Sequence, residues 1–373
     1  MSAPRRSGRA EGHRVARFFL VFAALLAILA GCAAAVLTRD WASAYAGYAP
    51  GGVFVEIPHG MAVAAIARTL EANGVVRSAL SFRALALRHP HARLEAGEYR
   101  FDQPETPEQV FDTLAHGRIY LVSVTLPEGE NMFGMAGLLE AKGVTTREEF
   151  LAAARSPDLV AGFAPGAPSL EGFLFPATYQ FPRHQPGEKI AEVMVRRFRE
   201  AWAESAGTLP AEGRGAAGLG PLGIVTLASL VEKETAVAEE RALVARVFAN
   251  RLHKGMTLDC DPTVIYALTL AGRYNGRLLL ADLRAGSPYN TYRRRGLPPG
   301  PIANPGEASL RAALQPAPGT FLYFVATGDG GHVFSRTLAE HNRNVAQYRR
   351  REAQVARNAR AQARAHAAGR SSP

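Results

Sequence analysis

IVTLASLVEKETAV (224–237) is apolar over its first eight positions apart from Thr226 and Ser229, and then turns abruptly charged at Glu232, Lys233 and Glu234. Its length and apolar density predict a buried helix. On a 3.6-residue period Glu232 shares its stripe with Val225, Ala228, Ser229, Thr235 and Ala236, all small enough to leave a shallow groove beside the carboxyl. Glu234 instead shares a stripe with Leu227, Leu230, Val231 and Val237. A carboxyl at the end of an apolar helix is expected to have its charged form disfavoured, which raises its pKa and suits it to give a proton near neutral pH. On the pattern alone, an ordinary solvated Glu-Lys-Glu turn is the simpler reading.

Around this helix, aromatic and amide-rich segments accumulate: EGFLFPATYQF (171–181), DPTVIY (261–266), RYNG (273–276), SPYNTY (287–292), GLPPGPIANPG (296–306) and FLYFVATGDGGHVFSRTLAEHN (321–342). Tyr and Phe faces beside Asn, Asp and Glu side chains suit a neutral sugar, which needs apolar patches on its ring faces and hydrogen bonds to its hydroxyls. The Pro/Gly-rich passage 161–172 separates this region from what precedes it, and a second such passage, 206–223, lies inside it. The latter contains a dinucleotide-type spacing, Gly213, Gly215 and Gly218, but no apolar strand leads into it, so a phosphate cradle is not expected. No P-loop, HExxH pair or Gly-x-Ser-x-Gly elbow occurs, and the ten His show no metal-ligand spacing. Neither metal nor cofactor is therefore expected.

Further upstream, IPHGMAVAAIARTLEANGV (57–75) aligns without a gap on LPEGENMFGMAGLLEAKGV (126–144), identical at eight of nineteen positions. A fixed offset of that quality marks an internal repeat. Residues 53–58 alternate like a strand and lead into a helix that Asn73-Gly74 stops. Between the copies lie a helix-like 78–89, a short strand 97–101, and a helix opened by Thr106 as cap and Pro107 in its first turn. Two small α+β units are expected over about 45–155, serving either as a glycan-binding module or as a structural spacer.

The 373 residues are 47% hydrophobic and 20% charged, a globular composition with room for about two domains. The net charge is +10, of which residues 1–17 carry +4 and residues 349–373 carry +6. The span between them is neutral, which argues against a nucleic-acid-binding fold. The arginine-rich 349–373 reads as a solvated helix or frayed tail. From Phe18 to Leu37 twenty residues carry no charge, enough for a helix about 30 Å long. With basic residues before it, this segment reads as a single membrane span over 18–38 with residue 1 in the cytoplasm. A cleaved signal peptide is one rival. Another is a lipobox at Leu29-Ala30-Gly31-Cys32, with Cys32 acylated. Two cysteines build no disulfide framework, and Cys260 is expected as a free thiol.

VEKETAVAEERALVARVFANRLHKGMTLDCDPTVIYAL (231–268), together with EGFLFPATYQF before it and YNTYRRRGLPPGPIANPG and YFVATGDGGHVF…EHN after it, closely resembles the endolytic murein transglycosylase family over roughly residues 50–348. The resemblance implies an α+β protein with a membrane anchor, LysM-like glycan-binding units over 45–155 and a catalytic domain over 160–348, working without cofactor on peptidoglycan strands at the bacterial inner membrane beside cell-wall synthases of the penicillin-binding class. It places the catalytic carboxyl on Glu232, which would protonate the bond between N-acetylmuramic acid and N-acetylglucosamine and then deprotonate the muramic acid C6 hydroxyl as a 1,6-anhydro ring closes. Glu171 and Tyr179 match a family motif, and with Asp261, Asn275, Tyr289, Asn290, Gly331, His332 and Asn342 they are candidates to line the cleft. Cys260 stands where the family commonly carries a polar residue. The alternatives are a muramidase-type hydrolase, which pairs two acids about 5–9.5 Å apart and would draw the second from Glu171, Glu234 or Glu240, and a non-catalytic wall-binding scaffold.

Overall fold

The computed structural model describes residues 8–207 and 218–369. The chain divides into two compact units that meet at Leu121 and Val122. Residues 1–7 and 370–373 of the basic ends, and Gly213 and Gly215 of the dinucleotide-type pattern, lie outside the described residues.

The first unit opens with helix α1 (Gly8–Trp41). Its portion Ala16–Trp41 is long and apolar enough to cross a membrane, a test that an N-terminal signal sequence also passes. Strand β1 (Val53–Ile57), helices α2 (Val63–Ala72) and α3 (Ala79–Ala86), strand β2 (Gly97–Phe101) and helix α4 (Pro107–Ala115) follow. β1 and β2 are antiparallel, with Val55 opposite Tyr99 and Val53 opposite Phe101. Strand alternation turns Val55, Ile57, Tyr99 and Phe101 inward, where they pack with Ile66, Leu70, Phe82, Leu85, Val110 and Leu114. α4 starts where its sequence signal lies: Thr106 Oγ1 accepts from Gln109 N, and the Gln109 side chain accepts from Thr106 N, which satisfies two otherwise unpaired donors.

The second unit begins with the same design. Strand β3 (Val122–Thr125), helices α5 (Met132–Ala141) and α6 (Arg147–Arg155) and strand β4 (Thr178–Phe181) form a second strand–helix–helix–strand module, with Val124 opposite Tyr179 and Val122 opposite Phe181. The repeat is therefore a whole folding module. Its shared glycines, Gly60 and Gly129 (φ +77° and +73°) and Gly74 and Gly143 (φ +70° and +68°), hold left-handed turns that other residues resist. The unit boundary falls between the two copies, because β3 pairs with β4 and the second copy shares one core with everything that follows it.

That core is mostly helical. Helices α7 (Gly187–Gly207), α8 (Pro221–Glu234), α9 (Arg241–His253), α10 (Asp261–Leu270) and α11 (Glu307–Leu314) precede a hairpin of β5 (Tyr323–Ala326) and β6 (His332–Ser335) and a terminal helix α12 (Leu338–Gly369). The expected buried helix is α8, packed against α9 and α11, and all eight residues 224–231 are buried. Its two polar interior groups are satisfied locally, Thr226 Oγ1 donating to Leu222 O at 2.7 Å and Ser229 Oγ to Thr226 O at 2.7 Å. α8 stops at Glu234 because Thr235 is extended (φ −142°, ψ 135°), so the charged triplet occupies the last turn.

Candidate active site

Glu232 sits in the last turn of a buried helix, at the negative end of that helix's dipole, where a carboxylate needs outside support. It has two supports. The backbone N–H of Gly306, the residue that caps the start of α11, donates to Glu232 Oε2 at 3.0 Å. Arg241, at the start of α9, brings Nη2 to 3.6 Å from Oε1, with side-chain exposures of only 13% for Arg241 and 7% for Glu232. Arg241 is itself oriented by a bond from Nε to Ser309 Oγ at 3.2 Å on α11. Ser229, one turn before Glu232, accepts from Ile302 N at 3.1 Å and so fastens the 301–306 segment along α8.

A second carboxyl lies here that the sequence pattern did not single out. Glu128, in the turn after β3, also reaches Gly306, where a Cβ would overlap its carboxyl. A Cβ on Gly129 would meet the Cγ of Glu232 at 3.4 Å, and the Gly129 carbonyl accepts from Lys233 Nζ at 3.1 Å. Partial burial, and then the charge of Glu232, raise the Glu128 pKa above the usual carboxylate value; Glu307 adds to this and Arg241 opposes it. The visible signal was in the repeat: the first copy has His59 and Met61 where the second has Glu128 and Glu130.

The other candidates fall into separate places. Glu171 is fully buried, its two oxygens accepting from Met132 N (3.1 Å to each), Tyr266 Oη (3.0 Å) and Asn304 Nδ2 (2.8 Å). Burial pushes its pKa to about 8 against the pull of these donors. Asn304, also buried, is the hub of this network: its Oδ1 accepts from Gly172 N (2.8 Å) and Leu174 N (3.0 Å), and its Nδ2 also donates to Glu130 O (3.0 Å). The ring of Tyr289 packs 5.1 Å from that of Tyr266 on the flank of the network. Tyr179 is buried on β4 with its hydroxyl committed to Phe175 O at 2.6 Å.

Glu234 is largely desolvated and raised in pKa, and it accepts a hydrogen bond from the Cys260 thiol. Cys260 is the free thiol expected, and it is buried in the core. Glu240 accepts from His332 N (2.8 Å) and pairs with His332 Nδ1 (2.7 Å), contacts that lower its pKa; Gly331 stands beside the same carboxyl. Asp261, at the start of α10, accepts from Tyr292 Oη at 2.7 Å. Asn290 is buried and clamps its own loop, donating to Leu283 O and Ala285 O and accepting from Tyr292 N. Asn275 accepts from Arg277 N at 3.4 Å in an exposed loop, and Asn342 is exposed on α12. Among the described residues no group of three or more His, Cys, Asp or Glu is arranged to hold a metal ion.

A family model described as the YceG-like family matches residues 55–347. The chain is 31% identical over 313 residues to the endolytic murein transglycosylase of Bacillus subtilis, covering 79% of this chain and 84% of that protein. It is 30% identical over 328 residues to the endolytic murein transglycosylase of Streptococcus pneumoniae serotype 2, covering 79% of this chain and 58% of that longer protein. A crystal structure of a yceG-like protein from Listeria monocytogenes aligns with a TM-score of 0.52 and 32% identity, covering 79% of this chain and 99% of that one. A family match spanning both units, joined to relatives of this identity and coverage, makes the chain a member of the YceG-like family.

Proposed function

We propose that the chain is an endolytic murein transglycosylase, cutting the bond between N-acetylmuramic acid and N-acetylglucosamine within nascent glycan strands and leaving 1,6-anhydro ends. The observation that carries this reading is Glu232, a recessed carboxyl at the end of a buried helix, held between a guanidinium and a backbone N–H beside a second, more open acid. Membership of a family whose similar proteins bear that name supports it. The reaction requires one proton delivered to the glycosidic oxygen and one removed from the muramic acid C6 hydroxyl as C1 gains oxocarbenium character. No water is consumed. In this reading α1 anchors the chain in the inner membrane with its N-terminus in the cytoplasm, the first module holds glycan as a LysM-like unit, and the enzyme trims or terminates strands beside penicillin-binding synthases.

A muramidase-type hydrolase is the second reading, because Glu128 supplies the extra acid that such an enzyme needs. Mass spectrometry of products from uncrosslinked glycan strands, using the full chain in detergent, separates the two. Anhydro ends from wild type, lost in Glu232→Gln by about 1,000-fold or more, are expected. Ends heavier by one water would make the protein a hydrolase, and intact strands from folded wild type would leave a binding scaffold.

A further inference from the structure

The proposed reaction needs one group to give a proton and one to receive a proton, and the two acids beside Gly306 have different contacts. Glu232 Oε2 receives the Gly306 N–H at the positive end of α11, and Glu232 Oε1 faces Arg241. Both contacts stabilise a carboxylate. Glu128 has the opposite setting. It is open to solvent, and among the described residues no hydrogen bond or ion pair reaches its carboxyl. The charged groups facing it are Glu232 on α8, Arg241 on α9 and Glu307 on α11; partial desolvation first, and then the two acids, disfavour its ionised form against the pull of Arg241. Two carboxyls thus stand against one glycine, Glu232 with a backbone N–H and a guanidinium as partners and Glu128 with neither, so Glu128 is the one whose surroundings favour its protonated form.

We propose that Glu128 is a second catalytic carboxyl, the proton donor to the departing sugar, and that Glu232 is the base that receives the proton of the attacking hydroxyl. The assignment rests on the transglycosylase reading and divides its labour. As the C1–O4 bond breaks, its electron pair stays on O4 of the departing N-acetylglucosamine, which takes the Glu128 proton. O6 of the muramic acid forms the new bond to C1, and its proton passes to Glu232. The pair is left with the proton on Glu232, and return across the Gly306 edge to Glu128 restores the starting state. Gly306 has to be glycine for this: its backbone (φ −75°, ψ 172°) suits any residue, but a Cβ there would occupy the place of the Glu128 carboxyl.

Leaving-group dependence tests the division, because 4-nitrophenolate departs without a proton whereas a sugar does not. The full chain in detergent would be assayed on uncrosslinked strands and on a synthetic glycan whose muramic acid C1 carries 4-nitrophenolate. Glu128→Gln is expected to lose about 100- to 10,000-fold in kcat on strands, with KM little changed and the alkaline limb of the pH profile gone, while keeping activity within about tenfold of wild type on the nitrophenyl glycan. Gly306→Ala, which displaces the same carboxyl, should reproduce this split, and Glu232→Gln should lose both activities. Retention of strand cleavage by Glu128→Gln, or equal loss on both substrates, overturns the assignment. Water-bearing products from wild type would sink the transglycosylase reading alone, since the leaving-group split still reports which carboxyl gives the proton.

Discussion

The two strand–helix–helix–strand modules share a scaffold and differ in what is attached to it. In both, the first strand and the returning strand pair in equivalent register, and the tyrosine of the returning strand donates its hydroxyl to the carbonyl four residues earlier: Tyr99 to Glu95 O at 2.8 Å, Tyr179 to Phe175 O at 2.6 Å. In both, the buried helix positions coincide, Ile66, Ala67 and Leu70 matching Met135, Ala136 and Leu139. The differences cluster at one end. α2 begins at Ala62 with no side-chain cap, whereas α5 begins at Asn131, whose Oδ1 accepts from Phe133 N and Gly134 N, with Glu171 covering Met132 N as well. Residues 156–177 replace the shorter 87–96 between second helix and second strand, and they bring Glu171 with them. A duplicated scaffold thus acquires its extra buried polar contacts through its turn and one insertion while its core stays as it was.

The largest test of that difference is Asn304→Ala. Removing the side chain leaves Gly172 N and Leu174 N without acceptors, each a buried donor, and should cost the second unit about 3 kcal/mol or more. The first module has no such dependence, so unfolding followed at Trp41 in the first unit and Trp202 in the second should shift only at Trp202. A shift at both would show that the modules do not unfold separately.

Glu171 gives a pH signature to the second copy alone. Its folded pKa, about 8, lies above the value of 4.5 taken for an exposed Glu, so the folded state holds an extra proton between them. Stability from this group is complete below about pH 4.5 and is lost as pH rises toward about 8, at up to about 1.4 kcal/mol per pH unit. Glu171→Gln should flatten that fall at the Trp202 probe, and an unchanged slope would mean that the carboxyl is ionised when folded.

Tyr99→Phe and Tyr179→Phe should each cost about 1 kcal/mol in their own unit, the worth of one hydrogen bond. Near-equal losses would confirm a shared scaffold role, and loss of strand cleavage in Tyr179→Phe without loss of stability would instead give that hydroxyl a place in the chemistry. The smallest effect is a transplant. Ala62→Asn offers the first module the cap that Asn131 gives the second, on a backbone already extended (φ −66°, ψ 145°), and should stabilise it by about 0.5–1 kcal/mol. No gain in midpoint at Trp41 would show that the α2 start is held by something other than its cap.

How much of this the sequence shows follows from distance along the chain. The repeat was legible over 57–75 and 126–144 because it aligns without a gap, but its closing strands were not, since the offset changes from 69 to 80 when 156–177 intervenes. α8 was legible from its eight apolar positions, and its last turn was marked by the charge change. Glu232 stood out through its resemblance to a family motif, while Arg241, Gly306 and Asn304 gave no local sign, because they meet α8 or Glu171 only through tertiary packing. Glu171 was visible as part of a motif; that it lies buried among four hydrogen-bond contacts was beyond any periodicity.

Cys260 carries a practical consequence. Its thiol is buried, donates to the carboxylate of Glu234 and is raised well above its usual pKa by burial and by that neighbour, so in the folded chain it presents almost no thiolate to a reagent. Modification by an alkylating reagent must wait until this part of the chain opens. Its rate therefore clocks the opening of the last turn of α8, two residues from Glu232, and a bound glycan that braces the site would lengthen the wait measurably.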